Sequence, residues 1–146
     1  MRAGTVHTWL HLDKPERTFG ALAWALATPV GLGLRLVGFA RMKALVDELP
    51  LGSDSPGGGV APARGEALVA RAFAHAPTRP GCLPQALVQA AAHRLLGRDV
   101  VLVIGVKRAG RHSAGDAVEF EAHAWVDDRT GSRSDPTHHE IYRSSI

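Results

Sequence analysis

The stretch Arg79-Pro80-Gly81-Cys82-Leu83 lies where a loop rich in proline gives way to a helix, and it contains the only cysteine of the 146 residues. After it, apolar residues recur every four positions, which is the spacing of the buried stripe of an α-helix; they are Leu83, Leu87, Ala91 and Leu95. Gly97 then favours a left-handed helix stop. Pro84 is tolerated in the first turn, where backbone N–H groups have no intrahelical partner. The sequence therefore predicts that Cys82 lies in or just before the first turn of a helix.

A cysteine at a helix start has a distinct chemistry. The unpaired N–H groups and the positive end of the helix dipole favour a thiolate over a thiol. A thiolate is the nucleophilic form of cysteine, whereas many lone cysteines are only small core residues. Cys82 is therefore a candidate nucleophile. A base nearby would favour this role over that of a small core residue.

Composition limits the class of protein. The length and the apolar fraction of 45% fit one globular domain with one core. A single cysteine excludes an intramolecular disulfide, and the N-terminus lacks the pattern of a signal peptide, so we expect a cytoplasmic protein. The net charge is +3, but the fourteen arginines and three lysines are scattered and aromatics are few, so nucleic-acid binding is not favoured.

The N-terminal part predicts apolar helices. Asp13 and Glu16 have the spacing of a helix cap and its box position, and no charged residue occurs between Thr18 and Leu34. Thr28-Pro29 predicts the start of a second helix that ends near Pro50. Because prolines and glycines interrupt the apolar run, we expect core or partner-docking helices and no stable membrane insertion, with membrane contact left open.

Three segments follow from these patterns. Residues 1–50 are predicted to be N-terminal apolar helices, either part of the same domain or partner-docking. Residues 51–63 are rich in glycine and proline and predict a flexible connector. Residues 64–146 are predicted to be the core domain, and it opens with a helix from about residue 64 to residue 75.

The last third of the chain predicts strands. Val100 to Val106 is a nearly unbroken β-branched run, typical of a central strand covered on both faces. Residues 117–126 alternate, with Glu121, His123 and Trp125 on one face. Asp127 and Asp128 are predicted to be turn formers, after which a short strand from Ser132 should return beside this strand. Helices followed by an antiparallel meander define an α+β fold.

The two predicted strands suggest a base and an orienting carboxylate. Cysteine catalysis needs a base near sulfur and a third group that fixes the tautomer of the base. His123 is the best base, and a turn centred on Arg129 places Asp135 directly opposite it, with Cβ atoms about 5 Å apart. A shift of one residue would reverse the face of Asp135, so Glu121 is the reserve candidate.

Three motifs carry a family resemblance: Gly81-Cys82-Leu83, Val103-Ile104-Gly105-Val106 and Ala122-His123-Ala124-Trp125-Val126. With them, the region from about Pro80 to Pro136 resembles the transglutaminase-like cysteine peptidases of lasso-peptide biosynthesis, in the stand-alone form of the leader peptidase. The resemblance implies a transglutaminase- or papain-like core and a Cys82, His123 and Asp135 triad.

The same resemblance implies a function and partners. The function is removal of the leader peptide from a ribosomally made lasso-peptide precursor, through a thioester and without a cofactor. The implied partners are the precursor peptide, a separate leader-recognition protein and an ATP-dependent lasso cyclase. By the same resemblance, a threonine near the end of the leader is the expected recognition residue.

Other functions remain open at this stage. The same triad would serve an acyltransferase that passes the thioester to an amine. The chain could instead be a binding or scaffold module with an inert cysteine. A metal site at Asp135, His138 and His139 is disfavoured, because adjacent histidines on an extended segment point apart and no regular ligand spacing accompanies them. His7, His11, His75, His93 and His112 are interpreted as surface or structural residues.

Overall fold

The structure, a computed structural model, describes residues 12–53, 59–77, 81–108, 120–128 and 138–145. Four helices precede three strands: α1 (Lys14–Leu36), α2 (Gly38–Asp47), α3 (Pro62–Phe73), α4 (Cys82–Leu95), β1 (Val100–Arg108), β2 (Phe120–Asp128) and β3 (His139–Ser145). This order confirms the predicted α+β class. Residues 54–58 of the predicted connector lie outside the described residues, and the segment boundaries at residues 50 and 63 stay a prediction.

Helix α1 begins as predicted but ends elsewhere. The side chain of Asp13 accepts a hydrogen bond of 2.9 Å from the backbone N–H of Glu16, which confirms the cap. The predicted break at Thr28-Pro29 is wrong, because the helix continues through Pro29 to Leu36. The break lies instead at Gly38, whose φ of +80° is a left-handed conformation that glycine adopts without strain.

Packing explains why α1 survives its internal proline. Proline removes one intrahelical hydrogen bond and crowds the preceding turn. On both sides of it, however, α1 buries side chains in the core, among them Phe19, Ala23 and Val30. These contacts run to α3 and α4, so tertiary burial keeps the two halves of the helix in line.

The core lies between the helices and one face of the sheet. One cluster of buried residues joins α1, α3, α4, β1 and β2. Helix α4 contributes an uninterrupted buried run from residue 86 to residue 93 and packs against both β2 and β1. The N-terminus of α4 is therefore held at the sheet.

The sheet has the order β2-β1-β3, and β1 pairs antiparallel with both neighbours. The central position of β1 confirms the prediction for the run from Val100. The start of the predicted strand from Ser132 lies outside the described residues. The described strand β3 pairs with β1 and not with β2, so the sheet is antiparallel as predicted but its strand order is not that of a meander. A register shift between Ile104 and Gly105 interrupts that second pairing.

Helix α1 is also long and apolar enough to cross a membrane by length and composition, although 33% of the apolar window is buried inside the protein. The core helix of a soluble protein passes the same test, and α1 packs against α3 and α4. Several large apolar side chains between residues 24 and 51 remain exposed: Trp24, Leu32, Leu36, Val37, Leu45 and Leu51.

Candidate active site

Cys82 is the first residue of α4, as its local sequence predicts. Gly81 precedes the helix in an extended conformation, with φ −145° and ψ 156°, and its carbonyl accepts the N–H of Gln85 at 3.2 Å. The backbone N–H of Cys82 belongs to the first turn, where α-helical geometry supplies no intrahelical acceptor. The thiol and this N–H therefore lie at the positive end of the helix dipole.

The thiol of Cys82 lies against β2. It is within 3.8 Å of the carbonyl oxygen of Ala122 and donates to it. Ala122 immediately precedes His123, so the helix tip meets the strand next to the candidate base. Cys82 is a free cysteine and is only half-buried.

A pocket of about 280 Å³ contains both candidates. Its lining comes from α3, α4 and β2: Glu66, Gly81, Cys82, Gln85, Ala86, Gln89, His123, Ala124 and Trp125. Successive strand residues point to opposite faces of a sheet, so a pocket that touches residues 123, 124 and 125 lies along the edge of β2. Nucleophile and base candidates thus share one cavity, and their catalytic roles stay a prediction.

The structure does not describe the candidate carboxylate that would orient His123. Asp135 lies outside the described residues, and the hairpin that suggested it is not formed by the described part of β3. The reserve candidate Glu121 is exposed and forms an ion pair of 2.9 Å with Lys107. The hydrogen bond from Lys107 and its charge lower the pKa of Glu121, with smaller contributions from His138 and His123. Glu121 is therefore already paired with Lys107, and it is not among the residues that line the pocket described above.

Asp127 is not a turn former, which corrects the sequence interpretation. It lies inside β2 opposite Val101 and is fully buried. Its Oδ1 accepts the backbone N–H of Asp128 at 2.9 Å, and its Oδ2 lies 3.7 Å from Nη2 of Arg143 on β3. The carboxylate thus faces β3 from β2 across the central strand.

Replacing Asp127 by asparagine should destabilise the fold, whereas the turn interpretation predicts little effect. The change removes a buried negative charge that faces Arg143, and such losses typically cost about 1–3 kcal/mol. Chemical denaturation of the variant measures this difference. Asp128→Asn, at the exit of the strand, is the control, and equal stability of both variants would contradict the buried role of Asp127.

Sequence reasoning missed several residues of the pocket. Gln85 and Gln89 lie three and seven positions after Cys82, so helical spacing could have placed them on its face. The amide of Gln89 donates to the carbonyl of Pro62 at 2.7 Å, which ties α4 to the start of α3. Glu66 reaches the pocket from α3, and no local pattern indicates that approach.

The histidines near the C-terminus separate as the extended pattern predicts. His138 is half-buried and its ring lies 5.3 Å from the ring of His123, whereas His139 is exposed. Within the described ranges, no group of three or more histidine, cysteine or acidic side chains could hold a metal ion.

The comparison with protein families gives the class of this protein. Residues 24–143 match the model of the Transglutaminase-like superfamily. The match covers most of the chain, so the protein belongs to this superfamily, which includes cysteine peptidases and acyltransferases. Comparisons with curated proteins and with solved structures gave no match.

Proposed function

We propose that the protein is a cysteine peptidase that removes the leader peptide from a lasso-peptide precursor. The observation that carries the proposal is the shared pocket of Cys82, at the tip of α4, and His123, on β2. Membership of the transglutaminase-like superfamily supports cysteine-based acyl chemistry at such a site. The precursor as substrate follows from the resemblance of the three sequence motifs.

In the first half of the reaction, His123 accepts the proton of Cys82 and sulfur attacks the carbonyl carbon at the junction of leader and core. The negative oxygen that forms requires preorganised donors. The backbone N–H of Cys82 is one such donor. The carbon–nitrogen bond then breaks, and His123 returns the proton to the departing amine, which leaves a thioester on Cys82.

In the second half, His123 removes a proton from water and the resulting hydroxide attacks the thioester. The products are the leader with a carboxylate end and the regenerated thiol. Asp135 is proposed to orient the imidazole and to stabilise its charged form. In an acyltransferase, an amine would replace water in this step.

Mass spectrometry of a precursor incubated with the protein tests this proposal. Hydrolysis gives two fragments whose masses sum to the precursor plus one water, and we expect this result. Transfer to an amine gives a leader fragment that carries the mass of that amine in place of water. This result would identify the protein as an acyltransferase and not a peptidase. An unchanged precursor in the presence of the leader-recognition protein would contradict both enzymatic functions.

The proposed setting is the cytoplasm, with a leader-recognition protein delivering the precursor and an ATP-dependent cyclase receiving the freed core. The exposed apolar side chains of α1 and α2 support a docking role for these helices. Trp24 is 58% exposed and Leu36 is 82% exposed, and large apolar groups of this kind frequently mark protein interfaces.

The double variant Trp24→Ser/Leu36→Ser should lose the stimulation that the leader-recognition protein gives. A loss of about tenfold or more is expected if these side chains anchor the interface. Basal cleavage and the melting temperature should change little, because neither side chain is buried. Ile141→Ser is the matched control, since Ile141 is likewise a large exposed apolar residue, at 64%, but lies on β3. Full stimulation of the double variant would exclude this docking surface.

A further inference from the structure

Three aromatic rings meet on one face of the sheet, directly beside the pocket. His123 and Trp125 are two positions apart on β2 and therefore point to the same face, and His138 immediately precedes β3. The central strand β1 lies between β2 and β3, and Gly105 of β1 lies opposite His123 in the register. The space above Gly105 is therefore where the side chains of the two outer strands can meet.

The rings are in mutual contact. The ring centroids of His123 and Trp125 are 5.8 Å apart at an interplanar angle of 21°, which is a stacked arrangement. Those of His123 and His138 are 5.3 Å apart at 36°, and those of Trp125 and His138 are 6.1 Å apart at 53°. Distances of 4.5–7 Å are favourable for such pairs. His123 thus has an aromatic neighbour from its own strand and another from the segment before β3.

Gly105 makes this arrangement possible. A β-carbon at this position would lie 2.8 Å from Cη2 of Trp125 and 3.0 Å from Cβ of His138. Contacts of this length force neighbouring atoms to move. The register shift between Ile104 and Gly105 places Glu140 opposite Gly105, whereas regular pairing would place Ile141 there. Glycine here serves a close approach of side chains and not an unusual backbone angle.

We propose that Trp125 and His138 are positioning residues that hold the His123 ring in one orientation beside the pocket that Cys82 also lines, and that Gly105 provides their space. This inference rests on the proposed function for the meaning of His123. The final torsion of a histidine side chain is broad, so strand geometry alone does not fix the ring. Contact with two neighbouring rings restricts that torsion. A general base that is displaced by about 1 Å can lose a hundredfold in rate.

The proposal assigns the effect of His138 to its ring, which contacts the rings of His123 and Trp125. His138→Ala removes the ring, whereas His138→Phe retains a ring of similar size. His139→Ala is the matched control, because His139 is adjacent in sequence but exposed. Gly105→Ala adds one methyl group under both neighbours.

The first measurement needs no substrate. Nuclear magnetic resonance of the His123 ring should show shifted and broadened signals in His138→Ala and Gly105→Ala. The signals should stay near those of the wild type in His138→Phe and His139→Ala. Unchanged His123 signals in His138→Ala would overturn the proposal, and this holds even if the protein cleaves no precursor and the proposed function fails.

The second measurement is the cleavage rate. In His138→Ala and Gly105→Ala we expect kcat to fall on the order of tenfold to a hundredfold, with KM within about twofold, because the base is misplaced while the substrate site remains. His138→Phe should stay within about threefold of the wild type. An equal loss in His138→Phe and His138→Ala would assign the effect to imidazole chemistry and overturn a role for the ring. If Gly105→Ala does not fold, the His138 pair decides the question.

Discussion

Cys82→Ala should abolish cleavage, with kcat/KM reduced by about a thousandfold or more. Without sulfur no thioester forms, and only the binding and electrostatic parts of the site remain. The fold should survive, because Cys82 is half-buried at a helix tip and its thiol makes one long contact with the Ala122 carbonyl. Precursor mass spectra and a thermal melt measure the two effects.

The single cysteine provides an independent check on this result. Iodoacetamide can alkylate only Cys82 among cysteines, so the alkylated wild type should be as inactive as the alanine variant. Bound precursor should slow the alkylation because it occupies the same pocket. A fully alkylated protein that still cleaves precursor would exclude Cys82 as the nucleophile.

A double variant tests whether Cys82 and His123 act as one unit. Removing either member should cost nearly as much as removing both, because the base has no function without the nucleophile. Cys82→Ala/His123→Ala should therefore be no slower than Cys82→Ala alone. Multiplied losses would indicate that the two residues act separately.

The sequence predicts local structure well where short-range rules decide. The start of α4 at Cys82 and the left-handed Gly97 at its end, with φ +81°, follow from proline, glycine and apolar spacing within one helix. The Asp13 cap is equally local. Such features need no knowledge of distant residues.

Local rules fail where tertiary contacts decide. Pro29 indicates a helix start, but burial on both sides keeps it inside α1. Proximity in sequence suggests that β3 pairs with β2, yet it pairs with the other edge of β1. That crossing also changes the role of Asp127, which is buried near Arg143 of β3 instead of forming a turn.

In the candidate site, too, some residues follow from local sequence and others only from tertiary contacts. Cys82 and His123 are identified by residue type and by the elements that carry them. Gln89 and His138 reach the site region through packing of α4 on α3 and through the path of β3, so their contribution is visible only in three dimensions. Asp135 remains a prediction from the resemblance and from spacing.

His93 should make the protein lose stability in acid. Its side chain is 1% exposed in the core, and burial, together with the nearby charge of Arg98, lowers its pKa from 6.5 to about 3. Its ring packs against Phe19 at 4.7 Å, and its buried Nε2 has no hydrogen-bond acceptor or donor within the described part of the chain. A proton on this ring would be an uncompensated charge in the core.

The sign of the effect follows from the two protonation states. Between pH 6.5 and about pH 3 the unfolded chain binds a proton at His93 that the folded chain does not. Lower pH therefore favours unfolding, by up to about 1.4 kcal/mol per pH unit and roughly 5 kcal/mol over the whole window. Well above pH 6.5 both states are neutral and the effect is absent.

His93→Phe should flatten this dependence, because phenylalanine fills a similar volume and does not titrate. Chemical denaturation of wild type and variant between pH 7 and pH 4 gives the difference in the free energy of unfolding. Carboxylates such as Glu16, whose pKa Arg64 lowers, contribute to acid unfolding in both proteins and cancel in the comparison. The same substitution at exposed His75 is the control. Parallel pH profiles for His93→Phe and the wild type would show that the His93 ring is not held neutral in the core, and the packing of α1, α3 and α4 around it would then need revision.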